Sequence, residues 1–314
     1  MYPLKSSYFG AEQATRARAA LLIMAAIWGV NFSVAKTALT TLPPLAFNAL
    51  RFPMAAALLY AVLRSRGGVP TPTRRDLLLV LLLGLFGNLL YQLSFIFGLA
   101  RTTAGNASLL LAITPIITAL LSALVGHERV RPRVWIGVSA TFAGIAVLVL
   151  GGTRETGVQR ASIAGDLLML AAALAWACYT VGSKRLVDKY GAIVVTAWTL
   201  WAGTAGLMLV GLPAMLKLDW RAISFGTWMA TVYAGVLSIG VAYMLYYYGV
   251  RRIGNTRTGS YSNIVPVFAL VTAWLWLGEI PKPVQILGAT IIIGGVTMAQ
   301  LGSQSSAPAV SPEV

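Results

Sequence analysis

Ten polar or aromatic residues have the types and spacing to bind a small molecule inside otherwise apolar stretches of this chain. Asn88, Gln92 and Phe95 are four and three residues apart, so a helix would carry them on one face. The others are two tryptophans, an asparagine and four tyrosines: Trp28, Asn31, Trp176, Tyr179, Tyr243, Tyr246 and Tyr261. Neutral amides donate and accept hydrogen bonds, and aromatic rings form apolar walls. The set therefore predicts a site for a neutral or zwitterionic ligand, although polar residues in apolar helices also join neighbouring helices.

Residue counts exclude most catalytic and metal chemistry. The chain has one cysteine, Cys178, and one histidine, His127, too few for a disulfide framework, a metal cluster or a thiol–imidazole pair. Its nine acidic residues all fall in predicted tails, loops or helix ends. We therefore expect no cofactor, no metal and no central carboxylate relay for protons. Glu128 and Glu279 are interpreted as capping or ion-pairing residues.

The composition is that of a membrane protein. Hydrophobic residues make up 58% of the chain and charged residues 11%, against about 25% charged residues in soluble domains. A membrane-spanning helix needs about 20 mostly apolar residues. Ten such stretches are predicted: 17–38, 45–63, 77–99, 104–125, 133–151, 164–183, 191–212, 225–250, 256–278 and 284–302. We accordingly expect the lipid bilayer and a small-molecule substrate as partners. The net charge of +15 is interpreted as the signal that orients the spans in the membrane, and no nucleic-acid binding is expected.

Lysine and arginine residues predict the orientation of these spans. One set of tails and loops holds 16 of them and the other holds 7. Because the richer side is normally cytoplasmic, both termini are predicted inside, in a multi-pass protein of the cell (inner) membrane. Arg51 lies within the second span. It could hold a carboxylate, but we expect its long side chain to extend to the membrane interface instead.

The two halves of the chain repeat each other at an offset of 151 residues. The matched pairs include Gly84 with Gly235, Arg101 with Arg252, Pro115 with Pro266 and Glu128 with Glu279, while Trp28 matches Trp176 at an offset of 148. Five spans per half would place the second half upside down, an arrangement common in secondary transporters. The predicted divisions are a tail at 1–16, repeats at 17–152 and 164–302, and a disordered tail at 303–314. A monomer is sufficient, and a dimer is compatible.

These landmarks resemble the ten-helix EamA-type members of the drug/metabolite transporter superfamily. The resemblance rests on Trp28-Gly29-Val30-Asn31-Phe32 with Lys36, on Ala107–Leu110 through Pro115 to Glu128, and on Gly259-Ser260 through Pro266 to Gly278-Glu279. It implies an all-α integral membrane protein, with ten transmembrane helices as two inverted five-helix repeats. It also implies export or exchange of small metabolites through a central cavity. Within the superfamily the sequence looks most like the YddG type of aromatic amino-acid exporter.

Alternating access would need flexible points. Pro115 and Pro266 fall in the middle of their spans, where a missing N–H loosens a helix. Gly105 and Gly254 lie in or near the same spans. We interpret these four residues as hinges, with ordinary tolerated kinks as the alternative.

Taken together, these patterns predict a transporter that exports neutral, hydrophobic or aromatic amino acids. Export of other metabolites or drugs of the same superfamily is the alternative. A channel and an intramembrane enzyme are disfavoured. An intramembrane protease would need a buried Ser–His pair or paired aspartates, and lipid head-group chemistry would need acidic metal-binding clusters.

Overall fold

The polypeptide folds into a bundle of long helices joined by short loops. The computed structural model describes residues 4–68, 70–125, 132–152, 162–253, 258–259 and 261–304. The helices in these ranges are α1 (Leu4–Ala38), α2 (Pro44–Ser65), α3 (Arg74–Arg101), α4 (Ala104–Leu124), α5 (Pro132–Gly152), α6 (Ile163–Tyr190), α7 (Ala192–Leu216), α8 (Phe225–Ile253), α9 (Ser262–Leu277) and α10 (Pro283–Gln304).

Seven of these helices, α1–α4 and α6–α8, are long and apolar enough to cross a membrane, and the others contain shorter apolar helices within the described residues. Large apolar side chains on their outer faces are exposed, among them Leu78, Leu209 and Leu275. Such surfaces suit contact with lipid chains. The expected helical membrane protein is confirmed in this form, and the ten-span inverted arrangement stays a prediction.

Several helices begin at a hydroxyl side chain that caps them. Thr73, Thr103, Ser162 and Ser224 each accept a hydrogen bond from the backbone N–H three residues later. These bonds satisfy backbone donors that a helix start leaves free. At the far end of α6, Gly191 has a φ of 83°, which glycine adopts without strain and which lets α7 begin at once.

Two helices contain a π-helical segment at matching positions of the sequence repeat. In α3 the segment is Leu85–Leu90, and in α8 it is Tyr233–Val241. An offset of 151 places the first segment on residues 236–241 of the second. π-Helical turns widen the helix locally and occur frequently at functional sites. Both segments lie just before candidate residues, Gln92 in α3 and Tyr243 in α8.

The two repeat-related prolines lie where their helices are interrupted. The first segment of α4 ends at Leu111, and the second, Thr114–Leu124, starts with Pro115 in its first turn. In α9 a short 3₁₀ turn, Ser262–Ile264, leads into Val265–Leu277 with Pro266 in the first turn. These prolines therefore begin new segments rather than break continuous ones, because the first turn needs no donor from them. Their hinge role remains a prediction.

The glycine-rich helices α5 and α10 pack on each other. A Cβ added to Gly144 would lie 2.9 Å from the backbone N of Ile292, and one added to Gly295 would lie 2.7 Å from the carbonyl O of Gly137. Backbones approach this closely only where small residues line both helices. In the structure α5 and α10 therefore pair within one chain.

One end of the bundle is joined by hydrogen bonds between the two halves of the chain; we call it the closed end. Here α4 begins and α9 ends, and the Glu279 carboxylate accepts bonds from the N–H groups of Ala104 and Gly105 at 3.0 and 3.2 Å. The Gln285 side chain donates to Oδ1 of Asn106 at 2.9 Å. Glu279 thus caps a helix as expected, but that helix belongs to the other half. Glu128 lies outside the described residues.

Gly105 therefore lies at a capped helix start, and its hinge role stays a prediction. Nearby, the ammonium of Lys36 donates to the carbonyl oxygens of Leu99 and Thr102. The hydroxyl of Thr102 in turn donates to the buried carboxylate of Asp166 at the start of α6. These hydrogen bonds link α1, the end of α3 and the start of α6 near the closed end.

Candidate functional site

Aromatic side chains from four helices meet in the middle of the bundle. We call this group the aromatic cluster; it comprises Trp28 and Phe32 of α1, Tyr91 and Phe95 of α3, Trp176 and Tyr179 of α6, and Tyr243 and Tyr246 of α8. Trp176 has ring-centroid distances of 5.0 Å to Tyr91, 5.1 Å to Tyr179 and 6.1 Å to Tyr243. Each half of the chain supplies two of the four helices.

Several rings of the cluster are packed against one another and still keep accessible surface. Trp28, Tyr91, Trp176, Tyr243 and Tyr246 are all half-buried, although each contacts another ring of the cluster. We interpret this accessible surface as the wall of a cavity between α1, α3, α6 and α8. Cavities lined by aromatic groups with a few polar atoms are the usual form of small-molecule sites.

The local sequence explains why these rings converge. Trp28 and Phe32 are four residues apart on α1, and Tyr243 and Tyr246 are three apart on α8, so each pair shares a helical face. The indole N–H of Trp28 donates to the carbonyl O of Ser238 at 2.9 Å. Ser238 lies in the π-helical segment of α8. The π-helical segment of α8 thus accepts a hydrogen bond from a ring of the first half of the chain.

A hydroxyl network borders the cluster on the side of α7. The hydroxyls of Tyr179 and Thr199 are 3.2 Å apart, and those of Thr196 and Tyr247 are also hydrogen-bonded. Either member of each pair can be the donor, so the direction of these bonds can reverse. The network provides neutral polar atoms at the edge of an apolar space.

Arg51 is buried beside the cluster, which corrects the expected extension to the membrane interface. Its side chain is 1% exposed. Nε donates to Oδ1 of Asn48 at 3.0 Å and Nη2 donates to Oε1 of Gln92 at 2.7 Å. The guanidinium lies 4.7 Å from the ring centre of Phe47 and 5.7 Å from that of Phe95. These neutral amides and rings hold the side chain inside the protein, so it does not reach the interface.

The remaining candidates occupy different places. Asn31 is buried, and no donor among the described residues reaches its Oδ1. Asn88 is also buried but packs on α7, where a Cβ added to Gly203 would meet its Cβ at 2.3 Å. Tyr261 packs against a buried apolar group around Leu21 and Met24, on which Trp28 and Tyr246 also pack. Gly254 lies outside the described residues.

Sequence reasoning missed three participants: Asn48, Tyr91 and Phe32. Asn48 could have been found from its spacing of three residues to Arg51, because that spacing brings the two side chains together on α2. Phe32 could have been found in the same way, from its spacing of four residues to Trp28. Tyr91 has an apolar repeat partner, Ala242, so the repeat does not mark it.

Metal binding finds no support in the part of the chain that the structure describes. Within it, no group of three or more histidine, cysteine, aspartate or glutamate residues could hold an ion. The groups that face the cavity are rings, hydroxyls and amides, with Arg51 beside them. Such an arrangement can bind and release a small molecule.

Known proteins resemble this chain along most of its length. A protein of Salmonella typhimurium named "Probable amino-acid metabolite efflux pump" is 27% identical over 289 residues, covering 90% of this chain and 93% of its own. A protein of Streptantibioticus cattleyicolor named "Probable terminal-alkyne amino-acid exporter" is 30% identical over 279 residues, covering 89% and 91%. One crystal structure covers 93% of this chain and 99% of its own with a TM-score of 0.65; at 23% identity it shows a shared fold.

The family profile gives the strongest result, because it matches twice. The EamA-like transporter family matches residues 16–150 and again residues 163–300. Proteins of this family are membrane transporters of small molecules rather than enzymes. Both matched segments contribute helices to the aromatic cluster. The chain therefore belongs to the EamA-like transporter family, in the drug/metabolite transporter superfamily.

Proposed function

We propose that this protein exports neutral amino acids with hydrophobic or aromatic side chains across the cell (inner) membrane. Transport would proceed by alternating access, with the substrate bound in the cavity lined by the aromatic cluster. The observation that carries the proposal is the cluster itself, built by two helices from each matched segment. A site shared between two halves can open to either side when the halves move against each other.

Matching features in the two halves support the ten-span inverted repeat. The π-helical segments of α3 and α8, and the interruptions before Pro115 and Pro266, recur at the sequence offset. We infer that these interruptions are the hinges of the transport cycle. With both termini in the cytoplasm, the closed end faces the cell exterior.

The substrate class follows from the chemistry of the cavity wall. Rings bury apolar side chains well, and ring pairs contribute roughly 0.5–1.5 kcal/mol beyond area burial. The neutral amides of Asn31 and Gln92 suit the ammonium and carboxylate groups of a zwitterion. Sugar phosphates are disfavoured because binding a phosphate group usually takes several clustered arginines or lysines. Among the described residues, Arg51 alone contacts a ring of the cluster with a positive charge. Two relatives whose names mention amino acids agree with this choice.

Competition in proteoliposomes tests this function. We expect unlabelled L-tryptophan and L-leucine to inhibit counterflow of labelled L-phenylalanine, because the same rings would bury their side chains. Glucose 6-phosphate and tetraphenylphosphonium should not inhibit it. Protein-free liposomes are the control, and saturation of the flux would distinguish a carrier from a channel. Competition by the phosphate or the organic cation, without competition by aromatic amino acids, would show the assignment to be wrong.

Topology is a separate prediction. Because of the 16-to-7 distribution of lysine and arginine, reporter fusions at Gly152 and after the C-terminus should lie on opposite faces, periplasmic and cytoplasmic respectively. Paired alkaline phosphatase and fluorescent-protein fusions would measure this. Both reporters on one face would contradict the inverted repeat.

A further inference from the structure

Arg51 carries a buried positive charge that no carboxylate balances in the described part of the chain. Its hydrogen-bond acceptors are the side-chain carbonyl oxygens of Asn48 and Gln92. The rings of Phe47, Phe52 and Phe95 lie 4.7, 5.5 and 5.7 Å from the guanidinium carbon. All five groups are neutral. They reduce the cost of burial through hydrogen bonds and cation–π contacts but leave the net charge in place.

A charge in this position is costly in a membrane protein, and such charges usually mark a ligand or ion pathway. A purely structural role would need only a neutral side chain to link α2 to α3. Asn48 already makes such a link, since its amide donates to the backbone carbonyl of Gln92 at 3.2 Å. Arg51 is therefore not required for the contact between these helices, and its charge calls for another explanation.

The position of Arg51 relative to the cluster supplies that explanation. Phe95 contacts the guanidinium on one side and the Tyr91 ring on the other, 6.0 Å away. Tyr91 is a half-buried ring of the aromatic cluster and contacts Trp176. The π-helical segment of α8 packs against the same turn of α2, because a Cβ at Gly235 would lie 2.5 Å from the carbonyl O of Arg51. The charge thus lies directly behind the cavity wall.

We propose that Arg51 binds the carboxylate of the transported molecule. In the structure Nη2 of the guanidinium donates its hydrogen bond to the side-chain carbonyl oxygen of Gln92. A carboxylate would replace it, because an ionised acceptor forms shorter and roughly twice as strong hydrogen bonds and can engage two N–H groups at once. The substrate's apolar side chain would then extend into the aromatic cluster. This inference deepens the proposed function and rests on it.

Three ligands that differ in one group test the inference on the purified protein. L-Phenylalanine has both charged groups, 3-phenylpropionate has only the carboxylate, and L-phenylalaninamide has only the ammonium. Apparent affinities are measured by ligand-induced thermal stabilisation. We expect L-phenylalaninamide to bind about 100-fold more weakly than L-phenylalanine, as loss of one partner of a buried charge pair predicts. 3-Phenylpropionate should stay within about 10-fold, since it keeps the group that Arg51 contacts.

Variants separate ligand binding from a structural role. Arg51→Gln should weaken L-phenylalanine binding by about 100-fold and abolish the preference for it over the amide. Arg51→Lys keeps the charge but loses the planar fork, so an intermediate loss of about 10-fold is expected. Arg64→Gln, which removes an exposed charge from the same helix, is the matched control and should leave all three affinities unchanged. A merely structural arginine would affect the three ligands alike.

Each outcome decides the question. Preserved preference for L-phenylalanine over its amide in Arg51→Gln would overturn the inference, as would equal binding of the two ligands by the unaltered protein. If Arg51→Gln fails to fold, the affinity of Arg51→Lys and the preference of the unaltered protein decide in the same way. Binding of L-phenylalanine without any carboxylate preference defeats this inference alone. Failure to bind any of the three ligands defeats the proposed function as well.

Discussion

Replacement of Trp176 by alanine is expected to lower kcat/KM for L-phenylalanine transport by about 100-fold. Trp176 is the ring with the most partners in the aromatic cluster, in contact with Tyr91, Tyr179 and Tyr243. Loss of a tryptophan that anchors a binding site costs at least about 2 kcal/mol of binding free energy, and about 2.8 kcal/mol corresponds to two factors of ten in an equilibrium. The substrate would lose its contact with the Trp176 ring, which forms part of the wall of the proposed site.

Initial-rate measurements in proteoliposomes check this prediction, with thermal stability measured in parallel. Trp135→Ala is the matched control, because Trp135 lies on the peripheral helix α5 and is 54% exposed. We expect the control to transport at the unaltered rate. A Trp176→Ala protein that is folded and fully active would show that the cluster is a structural core rather than a substrate site.

Glu279→Gln is expected to open the closed end. The Glu279 carboxylate holds two N–H groups at the start of α4, where the helix dipole and the free donors both favour a negative charge. A neutral amide loses that attraction, which in a partly buried site is worth up to about 2 kcal/mol. The population of molecules with this end open should rise by about 30-fold.

Modification of a buried cysteine measures this opening. Ser108 is 2% exposed behind the capped turn of α4, so Ser108→Cys in a Cys178→Ser background reports access from the closed end. Cys178 must be removed because it is exposed. Asp219→Asn, an exposed carboxylate in the loop between α7 and α8, is the control. Equal labelling rates in the Glu279→Gln variant and in the protein with Glu279 would show that the Glu279 cap does not keep this end closed.

Most residues of the candidate site could be predicted from the sequence, but their packing partners could not. Seven of the predicted site residues lie in or beside the aromatic cluster: Trp28, Gln92, Phe95, Trp176, Tyr179, Tyr243 and Tyr246. Six of them are rings of the cluster, and Gln92 lies beside it, where its side chain accepts a hydrogen bond from Arg51. Their helical spacing and repeat positions carry that information. Asn88 met the same criteria as Gln92 but packs on Gly203 instead. A helical face is wide enough to contact two neighbours, and spacing alone does not say which one.

The sequence by itself determined the class of protein, its helical make-up and its family, because these depend on composition, on runs of apolar residues and on a repeat readable along one chain. Only the tertiary structure decided the environments of the charged residues. Arg51 was expected at the membrane interface from its distance to the end of α2, yet Phe47, Phe52 and Phe95 cover it. Glu279 was recognised as a cap, but its partner in α4 is 175 residues away from it at Ala104. The physical reason is the same in both cases: the cost of a charge in a membrane depends on the groups that surround it, and those groups come from helices remote in sequence.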